Sequence, residues 1–288
     1  MPAPGPEADV STVEVLGVGF HTLTRSEAAR AIAGLAQTSR RAYVVKPYSE
    51  FMPRAARDQA VREILNGAEL CLADGVGILW AAHYMSLRGG PVRAMWQVPL
   101  SLASLALTPD AIRRPLKENM SGVDLTWNML AELENVGASV FLLGGTDQEL
   151  LGTRERIQAR FPRIRIAGAR RGYFETSGPE NDAVIAEINA AAPQALLVAM
   201  GFPLQERWIA ANLDRLNVNV AVAEGGSFSF ISGATCRAPA WIRRAGLEWL
   251  FRLLRQPSRL RRQLALPLFV WLVVRTRLGA HDRSRSNE

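Results

Sequence analysis

ASVFLLGGTDQELLGTRERIQARF, residues 138–161, decides the fold. Its first part is a short apolar run that ends in Gly144-Gly145, and its second part is a polar segment with helical spacing. A buried strand that turns through glycine straight into a helix is the repeating unit of a parallel sheet. The same unit recurs on both sides. Upstream, TVEVLGVGF (12–20), RAYVVK (41–46) and ELCLAD (69–74) predict strands. SEAARAIAGLAQ (26–37), PRAARDQAVREIL (53–65), VGILWAAHYMSL (76–87) and VDLTWNMLAELEN (123–135) predict helices, with an irregular, Pro-containing stretch before the last of them. Downstream, RIRIAGA (163–169), ALLVAMG (195–201) and NVNVAVAEGG (217–226) predict strands, and NDAVIAEINAA (181–191) and QERWIAANLDRL (205–216) helices.

This alternation predicts an α/β fold: a mostly parallel, Rossmann-like sheet with helices on both faces. Such sheets bind ligands outside the carboxyl ends of their strands. Five motifs directly follow strands: KPYSE (46–50), ADGVG (73–77), LLGGTD (142–147), MGFPLQE (200–206) and AEGGSF (223–228). The fold class brings all five to one edge.

Composition excludes several classes. The chain has 288 residues, 48% hydrophobic and 21% charged, a globular mixture rather than a disordered or fibrous one. Two cysteines, Cys71 and Cys236, exclude a disulfide-stapled scaffold, and Cys71 reads as a core residue. The first 30 residues lack a basic stretch followed by an apolar run, so no secretory signal is expected, and residues 1–10 read as an untied terminus. LALPLFVWLVV (264–274) is too short to span a bilayer, which takes roughly 20 residues. AMWQVPLSLASLALTP (94–109) is broken by Pro and polar residues. A cytoplasmic protein, peripheral on the inner face of the membrane, is the expectation.

The net charge of +7 is concentrated at one end. From Arg237 onward there are 12 Arg against three acids, a local charge of +9 that leaves the preceding residues at −2. Arg252, Arg255, Arg259 and Arg262 share one helical stripe, and Leu247, Leu250, Phe251 and Leu254 another, with Pro257 opening a second helix. Arginines mixed with bulky aliphatics fit a helix at a lipid interface, and no nucleic-acid module is present. Three units follow: a loose 1–10, an α/β domain over 11–236, and a helical, membrane-associating appendage over 237–288.

Asp74 ends a strand beside Gly75 and Gly77. It either caps the next helix or acts as a general base beside a phosphate on that helix's N-terminus. Gly144-Gly145 forms a weak phosphate-loop-like turn. Gly201, Pro203, Gln205 and Glu206 combine a turn with side chains that suit a nucleobase or sugar hydroxyl, or simple capping. No G-x-G-x-x-G or Walker sequence, Gly-x-Ser-x-Gly elbow or Cys–His arrangement occurs, and His21, His83 and His281 lack metal-ligand spacing.

Together LADGVGILWAA, SGVDL, FLLGG, RGYF, MGFPLQERWI, EGGSFSFISG and RAPAWIRRAGLEWLFRLLRQPSRLRRQ resemble, in order, the WecG/TagA/CpsF family of bacterial glycosyltransferases. The resemblance runs from about residue 12 to 263. It implies an inverting transferase that moves a sugar from a nucleotide-sugar donor to a polyprenyl-diphosphate-linked acceptor at the membrane, in exopolysaccharide, capsule or cell-wall polymer assembly. It makes Asp74 the general base. It assigns donor binding to Gly201, Pro203, Gln205 and Glu206, and gives the diphosphate to Arg237, Arg252 and Arg259. Gly75, Gly77, Gly144, Gly145 and Ser227 complete the expected substrate site, with no cofactor and no obligatory metal. The family's Thr-Pro-Asn-Pro-Glu is replaced by Lys46-Pro47-Tyr48-Ser49-Glu50, so Lys46 is expected to meet a phosphate or sugar carboxylate and Tyr48 to stack on a sugar. Asn119 stands where the family has Arg, Ser229 where it has Asp, and 88–117 is longer than usual. These departures leave a non-catalytic nucleotide-sugar-binding scaffold as the alternative, and homo-oligomerisation stays open. A dinucleotide oxidoreductase is disfavoured by the missing fingerprint.

Overall fold

The computed structural model describes residues 11–107, 112–239, 242, 248–255, 257 and 260–285. The expected loose terminus at 1–10 lies outside the described residues. The chain opens with β1 (Thr12–Val15) and β2 (Val18–His21), an antiparallel hairpin closed at Leu16-Gly17, where Leu16 has φ 53°. The single strand read over 12–20 is therefore corrected. Its alternation is real, but the chain reverses in the middle. Helix α1 (Arg25–Ala36) starts at a capping box in which Thr24 and Glu27 exchange backbone hydrogen bonds.

β3 (Ala42–Val45) leads into α2 (Met52–Arg57) and α3 (Gln59–Asn66), two helices where the spacing predicts one. Asp58 is extended and accepts from the Val61 amide, so it ends one helix by capping the next. β4 (Leu70–Cys71) and α4 (Val76–Ser86) follow. The stretch read as irregular contains α5 (Pro91–Leu107), with a proline at its first position, where a missing N–H costs nothing. Then come α6 (Gly122–Asn135), β5 (Val140–Gly144), α7 (Asp147–Arg160), β6 (Ile166–Arg170), α8 (Gly178–Ala191), β7 (Ala195–Ala199), α9 (Leu204–Asn212), β8 (Val220–Ala223) and α10 (Ser227–Ile231). The appendage contributes α11 (Glu248–Arg255), α12 (Leu260–Gln263) and α13 (Ala265–Arg285).

Six strands form one parallel sheet in the order β4-β3-β8-β7-β5-β6. Register places Leu70, Val44, Val222, Leu197 and Leu142 in one row across five strands. These side chains face α1, α6, α7 and α10, while their chain neighbours Cys71, Val45, Ala223, Val198 and Leu143 face the opposite layer. Burial on both faces explains why the strands read as continuous apolar runs. Each such Leu or Val contributes about 1.5–3 kcal/mol.

The apolar run 264–274 packs against the body. Phe269 and Val273 of α13 join the core beside Trp80 of α4. Arg277 is buried, donating to the Leu87 carbonyl at 2.8 Å and to Gln97 Oε1 at 2.5 Å, with its guanidinium 4.4 Å from the Tyr84 ring centre. The inner face of this run is therefore part of the protein core. Among the described residues, no helix is long and apolar enough to cross a membrane.

Candidate active site

A cavity of about 670 Å³ opens at the carboxyl ends of the strands. All five strand-end motifs contribute to its wall, as the fold class requires, together with the start of α6 and the helices α4, α5 and α13. Asp74 lines it at the end of β4. A parallel bridge joins Asp74 to Tyr48, and the Asp74 amide donates to the Pro47 carbonyl at 3.2 Å, so the loops after β3 and β4 are tied to each other. Gly75 caps α4 with φ 92°, a conformation that a side chain would strain. Its amide donates to Asn119 Oδ1 at 2.7 Å. The Asp74 carboxylate faces the beginning of α6: a Cβ placed on Gly122 would sit 3.2 Å from its Oδ2 and 3.4 Å from Ser227 Oγ.

Gln205 is the tie between two further loops. It is buried, and its Oε1 accepts from the amides of Gly201 (3.1 Å) and Gly225 (2.9 Å), which joins the ends of β7 and β8. Its Nε2 donates to Glu206 Oε1 at 2.8 Å. Burial pushes the Glu206 carboxyl up to about 7, against the hydrogen bond from Gln205, which lowers it. Glu206 is thus close to half-protonated at neutral pH, and its charge would not strongly oppose an anionic ligand in the cavity. Burial alone would also raise Glu149, but hydrogen bonds from Ser229 and Thr146 outweigh it and hold that carboxyl below the usual range.

Several expected contacts have another role. Lys46 reaches Glu224 at 2.9 Å, with side chains 3% and 0% exposed, and Thr126 donates to the same carboxylate. Both Lys46 and Glu224 line the cavity, and their ion pair gives the Lys46 ammonium a protein partner there instead of leaving it as an unpaired cation. The Gly145 amide donates to the Ala199 carbonyl, so the phosphate-loop reading of Gly144-Gly145 gives way to loop stitching. Gly144 itself is required by packing: a Cβ there would come within 2.4 Å of the Ala199 carbonyl oxygen. Gly144 and Pro203 stand behind the wall, whereas Tyr48, Gly75, Gly77, Gly145, Gly201, Gln205, Glu206 and Ser227 line it. Arg237 is not among the lining residues but is tied to one: it grips Asp124 through two bonds of 2.6 and 2.7 Å and donates to Oγ of Ser121, which lines the cavity, at 2.9 Å. Arg259 and the side chain of Arg252 lie outside the described residues.

Sequence reading missed three contributors. The rings of Phe51 and Phe202 stack with centroids 3.9 Å apart and continue to Tyr48, forming an aromatic wall from two loops. Glu149 was legible only as the third residue of a Thr146 capping box. Leu102 and Leu105 of α5 face Leu266, Phe269 and Val270 of α13 across an apolar side of the cavity, and no local pattern announces that pairing. Among the described residues, no three His, Cys, Asp or Glu side chains cluster as metal ligands would.

Comparison with known proteins adds to this geometry. The model of the glycosyl transferase WecG/TagA/CpsF family matches residues 13–100 and 98–283. The chain is 26% identical over 272 residues to N-acetylglucosaminyldiphosphoundecaprenol N-acetyl-beta-D-mannosaminyltransferases of Staphylococcus aureus, in strains MW2, NCTC 8325 / PS 47 and MRSA252. Each match covers 94% of this chain and 95% of the relative.

Proposed function

This chain belongs to the glycosyl transferase WecG/TagA/CpsF family, and from that premise we propose the reaction that its cavity performs. A sugar passes from a nucleotide-sugar donor to a polyprenyl-diphosphate-linked acceptor, with inversion at the anomeric carbon, in exopolysaccharide, capsule or cell-wall polymer assembly. The observation that carries the reading is Asp74, a carboxylate on the wall of a cavity that is polar at the strand ends and apolar between α5 and α13. That division suits a substrate pair with sugar and diphosphate at one end and lipid at the other.

Asp74 takes the proton of the acceptor hydroxyl as that oxygen attacks the anomeric carbon. The bond from this carbon to the nucleoside diphosphate breaks on the opposite face, and the diphosphate leaves with the electron pair. A positioned base contributes about 10²–10⁴-fold. Gln205 acts as a positioning residue by holding the β7 and β8 loops together. Tyr48, Phe51 and Phe202 offer faces to the sugar or base. Arg237 is held one residue back from the cavity through Ser121, and the leaving diphosphate would take over part of its grip on Asp124. Arg252 and Arg259 are assigned to the same diphosphate. The scheme uses no metal ion.

Residues 11–236 act as the catalytic unit and 237–288 as the appendage that closes it. The protein works at the cytoplasmic face of the membrane, where its acceptor is anchored. The relatives are named for N-acetylglucosaminyl-diphosphoundecaprenol, which makes that lipid the first acceptor to test. Incubating the full chain with it and a panel of nucleotide sugars should yield one extended lipid-linked glycan with inverted configuration. Absence of transfer from every donor, with the nucleotide sugars still bound, would support the scaffold instead.

A further inference from the structure

We propose that α5 and α13 form the entry by which the isoprenoid chain of the acceptor reaches the cavity, with the outer face of α5 resting in the bilayer surface. The inference rests on the acceptor class proposed above. Its starting point is the apolar side of the cavity, built from Leu102 and Leu105 of α5 and Leu266, Phe269 and Val270 of α13. Sugars and diphosphates gain little from such a wall, whereas a hydrocarbon chain gains about 25 cal/mol for each Å² it removes from water.

The apolar surface continues outside. Val92, Met95, Trp96 and Leu100 are 74%, 54%, 73% and 69% exposed, and their spacing places them on one stripe of α5. Met95 and Leu102 are seven residues apart, so the same side of the helix carries apolar atoms from the outer stripe toward the cavity wall. On the neighbouring α13, Trp271 is 51% exposed. The stripe does not come from a loosely seated helix. Trp80 Nε1 donates to Ser101 Oγ at 3.0 Å, and the Tyr84 hydroxyl donates to the Ala94 carbonyl at 3.1 Å, which fixes the inner face of α5 against α4. Arg277 holds α13 to Gln97 on the same helix.

The surroundings select a lipid over a second copy of the chain. The sequence of α5 contains Arg93 and no acid, and Arg88, Arg93 and Arg275 are exposed nearby. Self-pairing of this face would set arginines against arginines with no carboxylate on the helix to answer them. An anionic leaflet answers them directly, and tryptophan suits the headgroup boundary.

The test uses the full chain, vesicles of phosphatidylethanolamine and phosphatidylglycerol, and a polyprenyl phosphate bearing a photoreactive diazirine near its phosphate. Labelled peptides should map to 91–107 and 264–271. The triple variant Val92→Ser/Trp96→Ser/Leu100→Ser, whose side chains are exposed, should keep its melting temperature. It should lose at least about tenfold in vesicle partition and in the ratio of turnover on the polyprenyl acceptor to turnover on a short, water-soluble one. Labels confined to other segments would overturn the inference. So would undiminished partition, or a change from dimer to monomer with vesicle binding intact, which would mark a self-association surface. If the wild type glycosylates neither acceptor, the proposed reaction fails, while labelling and partition still decide the role of α5.

Discussion

Substituting Glu206 by Gln should make this protein more stable, and only at higher pH. The native carboxyl titrates at about 7 against 4.5 for an ordinary glutamate, because it is buried beside Gln205 with little compensating hydrogen bonding. Below 4.5 it is protonated in both the folded and unfolded chain. Between 4.5 and about 7 the unfolded chain releases its proton while the folded chain keeps it, so folding takes up a proton. Stability then falls by about 1.4 kcal/mol for each pH unit. Above about 7 the loss is complete, at about 3 kcal/mol. Glutamine mimics the protonated carboxyl and keeps the oxygen that accepts from Gln205. Urea unfolding of wild type and Glu206→Gln at several values from about pH 4 to about pH 8 reads the difference directly. The two should coincide at the acid end and diverge by about 3 kcal/mol at the alkaline end, with the variant more stable. Parallel curves at all pH values would refute the reasoning.

Gln205→Ala leaves the half-buried Gly201 and Gly225 amides without their acceptor and should cost about 1–3 kcal/mol by denaturant unfolding, with a fall in turnover as the two loops separate. Gly144→Ala would force a Cβ against the Ala199 carbonyl at φ 139° and should lower stability by about 2–4 kcal/mol, measured as a reduced melting temperature. Phe269→Ala empties a fully buried site beside Trp80 and should cost about 3–5 kcal/mol, with faster hydrogen exchange over 265–285 as α13 loosens.

The parallel sheet was legible because its strands are buried on both faces and each ends in glycine or a polar motif; Leu142 and Val198 announce themselves as such. The strand-end motifs then had to meet, since in a parallel sheet every strand ends at the same edge. Three features were hidden for physical reasons. The hairpin reversal at Leu16-Gly17 sits inside an unbroken alternating pattern, and its first residue is a leucine in a conformation that leucine seldom adopts. Helix α5 carries two prolines, which read locally as breakers, yet Tyr84, Trp80 and Arg277 hold it in place through contacts distant in sequence. Lys46 looked like an anion ligand because its partner, Glu224, is far along the chain and comes beside it only through the pairing of β3 with β8. Residue type and spacing could place Asp74 at a strand end, but not the fixation of its loop by Asn119.

The most direct test is turnover by Asp74→Asn, measured beside its affinity for the donor. The account predicts a folded protein that binds nucleotide sugar as wild type does and transfers it about 10²–10⁴-fold more slowly. Transfer at the wild-type rate, or loss of activity explained wholly by lost donor binding, would contradict the assignment of Asp74 as the base.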